Sequence, residues 1–313
     1  MPTRVCATAD ALNAKQEPQF MSPTSNTQAP VTLGTAATRR RHPRLPRLGL
    51  TGWIGCVILL GWLVAAIFGP LLINPDAAAS GELQVFAPVS AQHWLGTDYM
   101  GRDMLARVLL GARYTVCLAL VSTLCASGIG ITLALLATVS GRWIDACLSR
   151  GLDTLTAIPS KMFALIMVAA FGSSVWMLTI TAAIIYVPGA YRIARSLAVN
   201  INAMDYVTVA RTRGEGTAYI MRQEILPNIV GPMLADLGLR FVYVVLLLAS
   251  LSFLGLGIQP PEADWGSLVR ENIGALSEGS MAVVAPALAI ASLTMAVNLV
   301  IDNLPGRSAR GRK

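Results

Sequence analysis

Two histidines, His42 and His93, are all that a chain of 313 residues contains. An HExxH zinc site needs a histidine pair on one helix face, and a Ser/His/Asp triad needs a histidine beside its nucleophile, so neither can be assembled. Charge is scarce as well. Only 13% of residues are Asp, Glu, Lys or Arg, against about 25% in soluble domains. Acid–base chemistry by a carboxylate pair needs acids held at depth. Only Asp236 and Asp302 fall within apolar stretches, and both are expected near a membrane face. Cys6, Cys56, Cys117, Cys125 and Cys147 are scattered without a CxxC spacing, which fits packing cysteines and no disulfide or metal framework. The segment "GRSARGRK" sets Gly306 and Gly311 at phosphate-loop spacing, but Arg312 occupies the lysine position and no helix follows to hold a phosphate. The chain is therefore expected to carry no catalytic residue, no metal and no nucleotide of its own.

What is abundant is apolar sequence, 54% of the residues, and it is clustered. Runs near 53–75, 114–141, 162–191, 241–261 and 281–301 are each long enough to cross a hydrocarbon core of about 30 Å as a helix. The third is too long for one span, and "FGSSV" (171–175) offers a turn within it. Six spans follow, near 50–73, 114–139, 154–172, 175–190, 233–257 and 281–302. Continuous runs favour helices over the alternating segments of a barrel, so the fold class is all-α, a polytopic helical bundle in a lipid bilayer.

Most of the 24 Lys and Arg fall in 1–49, 140–153, 191–232 and 303–313, whereas 74–113 and 258–280 hold only Arg102, Arg107, Arg113 and Arg270. This bias places both termini in the cytoplasm. The net charge of +7 then reflects membrane topology, and no nucleic-acid partner is needed to explain it. Residues 1–48 read as a disordered tail ending in the basic flank "RRRHPRLPR", 49–112 as the first span and an external loop, 113–303 as the main transmembrane domain, and 304–313 as a basic cytoplasmic tail. No cleavable signal pattern precedes position 50, so the first span is read as an anchor.

Three charged residues fall in or beside spans. Lys161, in "IPSKMFAL", lies near the inner start of the third span, where it either snorkels to that face or lines a polar pathway. Asp236 and Arg240 are four apart at the start of the fifth span; they share a helix face and form either a structural pair or part of a pathway.

The only long inner segment between spans is 191–232, with the centre "DYVTVARTRGEGTAYIMRQEILPN", Asp205 to Asn228. Its composition predicts a short helix, a bend at Gly214, a second helix capped by Thr217 over about 218–225, and a stop at Pro227. Tyr219, Ile220, Met221, Ile225 and Leu226 supply more apolar surface than a solvated linker needs, so this knob must bury itself against the bundle or a partner.

The same stretch resembles the EAA loop of bacterial ABC importer permeases. Thr208, Val209 and Ala210 occupy the triplet, Gly214 the following glycine, and Leu226 and Pro227 the terminal LP. Two further segments, "HWLGTDYMGRDMLARVLLGAR" (93–113) and "LSFLGLGIQPPEADWGSLV" (251–269), are similar to signatures of the dipeptide, oligopeptide and nickel branch, C-type subunit. The resemblance covers roughly 91–300. It implies a permease that lines a translocation pathway with a homologous B-type permease and receives substrate from an external solute-binding protein. One or two cytoplasmic ABC ATPase subunits would bind ATP and Mg, and the protein would sit in the bacterial inner membrane. Asp205, Thr208, Val209, Ala210, Gly214, Thr217, Tyr219, Ile220, Leu226 and Pro227 would then form the ATPase-coupling loop. Peptides are the implied substrate, with nickel or a metal chelate as the alternative. An ATP-independent carrier or a membrane enzyme is the competing class. The chain departs from the family pattern at Thr208 and Val209, which replace the Glu and first Ala, at Arg213 before the glycine, and at Glu224.

Overall fold

The computed structural model describes residues 49–73 and 84–303. The two tails read from the sequence lie outside the described residues, as do Cys6 and His42. The described chain is helical, and its strand-like pairing is a single bridge, Thr97 to Asp103. The helices in chain order are α1 (Leu50–Leu72), α2 (Met104–Ser140), α3 (Arg142–Thr156), α4 (Ser160–Phe171) and α5 (Val175–Asn202). They are followed by α6 (Asp205–Thr212), α7 (Thr217–Phe253), α8 (Trp265–Glu271) and α9 (Val284–Asp302). Among the described residues, five helices, α1, α2, α5, α7 and α9, are long and apolar enough to cross a membrane, and α3 with α4 makes a sixth if that bent pair is one span.

Several boundaries differ from the sequence reading, each for a local reason. The second span starts at Met104, not near 114, because Asp103 caps the helix by accepting from the Leu105 N–H at 2.9 Å. The division expected at 112/113 therefore runs through the middle of a helical turn. The third span is broken: α3 and α4 meet at 82° across "AIP", where Pro159 lacks an N–H and disfavours helical geometry at Ile158. The fourth continues to Asn202 instead of ending near 190. Its two arginines are neutralised from α3, Arg192 by Asp153 at 2.8 Å and Arg195 by Asp145 through two bonds of 2.5 Å.

The largest correction concerns Pro227, expected as a stop. It stands near the start of an α-helical segment, Leu226–Phe253, that continues directly from the π-helical turn Ile220–Ile225. The Leu226 N–H bonds the Met221 carbonyl, a wide step that gives the proline ring room. The fifth span is thus one helix, α7, beginning at Thr217. Thr217 does not cap it; Gly216 precedes the helix and no side chain caps the end.

α2 packs mainly on α5, α1 and α7, while α1 packs on α9. The α2–α5 seam is made of small residues, among them Ala126, Ala134, Ala190, Ala194 and Ala198, all buried. With lipid outside, small residues gain stability by letting backbones approach so that dispersion and polar contacts accumulate. One core cluster runs from the end that carries α8 along α7 and α9 to Ile301; a second gathers α2 and α5 side chains around Val207, Ile220, Ile225 and Ile229 at the end that carries α6.

Candidate functional site

The α6 end contains the loop that the sequence singled out. Asp205 begins α6, where its charge suits the helix N-terminus. Helix α6 closes in a Schellman motif: the Gly214 N–H bonds the Arg211 carbonyl at 3.0 Å and the Glu215 N–H bonds the Ala210 carbonyl at 3.2 Å. Gly214 has φ +84°, and a Cβ placed there would meet nothing within 4 Å. The bend is set by backbone conformation alone.

The loop is anchored from inside. Val207, Ala210, Ile220 and Ile225 are buried, the last at 0% exposure. Polar ties add to this: Arg211 donates to Asn202 Oδ1 at 2.8 Å, and Asn228 donates to the Tyr206 hydroxyl at 3.2 Å. The sequence left open whether Ile220 and Ile225 bury against the bundle or a partner; the structure assigns both to the core. The outward face consists instead of Tyr206, Val209 and Tyr219, each 42–48% exposed, with Asp205, Thr208 and Thr217 also exposed and Leu226 half-buried beside exposed Pro227. Helix periodicity explains the division, since Val207 and Ala210 are three apart on one side of α6 while Tyr206 and Val209 fall on another.

The residues considered for a pathway divide likewise. Lys161 is exposed in the first turn of α4, just past the break. A cavity of about 240 Å³ lies beside that break, bounded by Leu155, Pro159, Phe163 and Ile185 among others. Asp236 and Arg240 are brought together and buried, with Arg240 Nη2 donating to Asp236 Oδ2 at 2.6 Å. Because α7 starts earlier than expected, the pair lies about 15–21 Å along the helix beyond Leu226 at 1.5 Å per residue, far from the helix start where the sequence reading put it. Charged residues within spanning helices are costly and are retained where they have a partner.

At the opposite end, the two remaining signature segments fold onto each other, a feature that the sequence reading missed. Asp98 is fully buried and accepts from the Met100 and Arg102 N–H groups and from Arg102 Nε at 2.7 Å. Arg107 donates to the Pro261 carbonyl at 3.0 Å and to Glu271 at 3.4 Å. Trp265 is fully buried; its indole donates to the Val108 carbonyl at 2.8 Å and meets the Trp62 ring edge-on at 4.6 Å. A cavity of about 610 Å³ opens beside this network, with Arg102, Arg107, Arg113, Tyr114 and Glu262 on its wall. Asp98 and Arg102 lie in the turn before α2 and Arg107 in its first turn, so no single helical spacing marked the cluster in the sequence.

Asp264 caps α8 in a reciprocal box with Ser267. Burial pushes its carboxyl above the usual aspartate range, opposed by hydrogen bonds from Ser252 and Ser267. A raised folded-state value means that this group favours the folded state at low pH and that the contribution is lost as pH rises through the shifted value. Asparagine caps as well as aspartate and carries no charge. Asp264→Asn is therefore expected to melt at or above the wild-type temperature at neutral pH. The gap should close as pH falls towards about 3.9, the unperturbed aspartate value; a melting series across that range checks it, and a lower melting temperature at neutral pH contradicts it.

Among the described residues there is no group of three or more His, Cys, Asp or Glu that could hold a metal ion. Residues 126–311 match the family described as "Binding-protein-dependent transport system inner membrane component". The dipeptide transport system permease protein DppC of Alkalihalophilus pseudofirmus is 32% identical over 91% of this chain and 94% of its own length. The probable D,D-dipeptide transport system permease protein DdpC of Escherichia coli is 32% identical over 79% of this chain and 83% of its own. The glutathione transport system permease protein GsiD of Pectobacterium atrosepticum is 34% identical over 69% and 71%. In fold, the chain is similar to one from the MetNI methionine ABC transporter in inward-facing conformations, with a TM-score of 0.53 and 14% identity over 67% of this chain and 97% of that one. A multi-pass helical bundle, both signature segments joined at one end and a core-anchored loop at the other accompany these similarities: the chain belongs to the family of binding-protein-dependent transport system inner membrane components, as a permease of the peptide ABC-importer type.

Proposed function

We propose that this chain lines the translocation pathway of an ATP-driven importer of dipeptides or short oligopeptides, together with a homologous B-type permease. One or two ATPase subunits bind ATP and Mg at the α6 end, which faces the cytoplasm with both termini, and a solute-binding protein delivers substrate at the α8 end. The observation that carries the coupling role is the exposed face of Tyr206, Val209 and Tyr219 on a loop whose other face is locked into the core. A docking element must present apolar surface without deforming, because it transmits only the difference in docking free energy between two states of its partner. The relatives named above support a short peptide as substrate in preference to nickel.

Uptake of a radiolabelled dipeptide tests this reading in cells lacking the chain and in the same cells carrying it, with and without ATP depletion. Uptake is expected only where both the chain and ATP are present, and unlabelled dipeptide should compete. Chain-dependent accumulation of a nickel chelate with no dipeptide uptake would overturn the substrate. Dipeptide uptake that survives ATP depletion would overturn the mechanism.

A further inference from the structure

We propose that Arg240 is a positioning residue for transport: it locks α7, the helix that begins in the α6–α7 loop, onto the proline flexure of α5, so that displacement of the loop reaches the middle of the bundle. The inference rests on the importer reading, and its test includes a measurement that does not.

The lock is reciprocal. Arg240, on α7, donates through Nη1 to the Tyr186 carbonyl of α5 at 2.8 Å, and Tyr186 donates through its hydroxyl to the Tyr243 carbonyl of α7 at 2.9 Å. Each helix thus sends one side chain to the other's backbone. Asp236, one turn away, takes the rest of the guanidinium, accepting from Nη2 at 2.6 Å and Nε at 3.3 Å. This carboxylate neutralises the charge and aims the fork at α5.

The bond lands two residues before a proline inside α5. Pro188 stands inside the helix, so the Ile184 carbonyl has no N–H four residues on. Gly189 follows, with the guanidinium laid against it: a Cβ there would stand 2.9 Å from Nη1 and 3.7 Å from Cζ. A glycine beside a proline lowers the cost of bending, and here it also makes room for the clamp.

The clamp sits on the helix that carries the loop. α7 is continuous from Thr217 to Phe253, which puts Arg240 about 35 Å along the helix from the loop at 1.5 Å per residue. Between the loop and Arg240 the helix contains the π turn Ile220–Ile225 and Pro232, so its motion must be held to α5 by side-chain ties, and Arg240 makes that tie beside Pro188. Arg240 is 5% exposed and each of its nitrogens Nε, Nη1 and Nη2 is engaged within the chain. That occupancy argues against substrate contact as its role. A merely static pair would serve equally well as two apolar side chains of similar volume.

The double variant Asp236→Leu/Arg240→Met removes the lock without leaving an unpaired charge. We would measure dipeptide uptake in cells, melting of the purified full chain, and amide hydrogen exchange of α5 around 186–193. The lock predicts near-wild-type melting, uptake lowered about tenfold, within the range of ordinary coupling between sites, and exchange raised about fivefold or more at the flexure, with no change in the 205–225 loop. Unchanged uptake, whether or not exchange rises, overturns the transmission role. Should the double variant fail to accumulate, Tyr186→Phe decides. It deletes only the returning bond, and uptake should fall about threefold, as expected for one hydrogen bond lost; unchanged uptake overturns the proposal. If the wild type imports no dipeptide, the importer reading falls, and the exchange measurement still shows whether Arg240 holds the flexure.

Discussion

Gly130→Ala is expected to destabilise the protein, while Gly128→Ala, two residues earlier on the same helix, is expected to be neutral or stabilising. A Cβ at Gly130 would stand 2.5 Å from the Ala190 Cβ, 2.9 Å from the Tyr191 nitrogen and 3.0 Å from the Val187 oxygen. Two of these three neighbours are backbone atoms of α5, so no rotamer change relieves the clash. The helices must separate along their most extensive contact. Overpacking of this kind costs about 1–3 kcal/mol, which corresponds to about 2–12 °C of melting temperature in a domain of this size. At Gly128 a Cβ meets nothing within 4 Å, and removing a helical glycine gains about 0.5–1 kcal/mol. Melting of the purified chain in detergent, followed by size-exclusion fluorescence, compares the two. Equal effects would contradict the α2–α5 packing described here.

Gly214→Val is expected to lower dipeptide uptake about tenfold or more, a loss in the range of typical coupling between sites, while membrane insertion stays intact and the melting temperature falls by about 2–8 °C. Space is not the obstacle at this position, since a side chain there is free of neighbours. The obstacle is φ +84°, which costs an L-residue about 1–2 kcal/mol and is least tolerated by β-branched side chains. The cheapest relief is to break the Schellman motif and swing α6 away from α7, which displaces Tyr206 and Val209 relative to Tyr219. Asparagine tolerates the left-handed region, so Gly214→Asn should keep most of the uptake. Uptake normalised to chain abundance in membranes tests the pair; a valine variant with full uptake would remove the loop from the coupling mechanism. Deleting 215–224 would be less informative, because it also removes Ile220 from the core.

Much of this loop could be read from residues alone. The left-handed bend at Gly214 was legible because glycine occupies φ > 0 at low cost and the flanking composition is helical. The fate of Ile220 and Ile225 was not. Local pattern marks both as apolar, and whether an apolar side chain faces a partner or its own bundle depends on what the fold brings beside it, here α2 and α5. Pro227 misled for a related reason. A proline ends an isolated α-helix, but a π turn upstream shifts the register and leaves the ring in a place it tolerates. The external signatures were visible as motifs, yet nothing local says that Arg107 reaches Glu271, or that Trp265 seats between α2 and Trp62.

The sequence by itself determined the solvent this protein folds in, the helical class, the approximate spans and the family. Each of these follows from one-dimensional quantities: apolar run length against bilayer thickness, the scarcity of histidine and charge, and motifs whose order survives along the chain. The tertiary structure decided the break between α3 and α4, the continuity of α7, the depth of Asp236 and Arg240, and the tie from Arg240 to the Tyr186 carbonyl beside Pro188. These depend on which helices touch. An arginine on α7 acquires its meaning from a carbonyl more than fifty residues away, and only packing sets that distance to 2.8 Å.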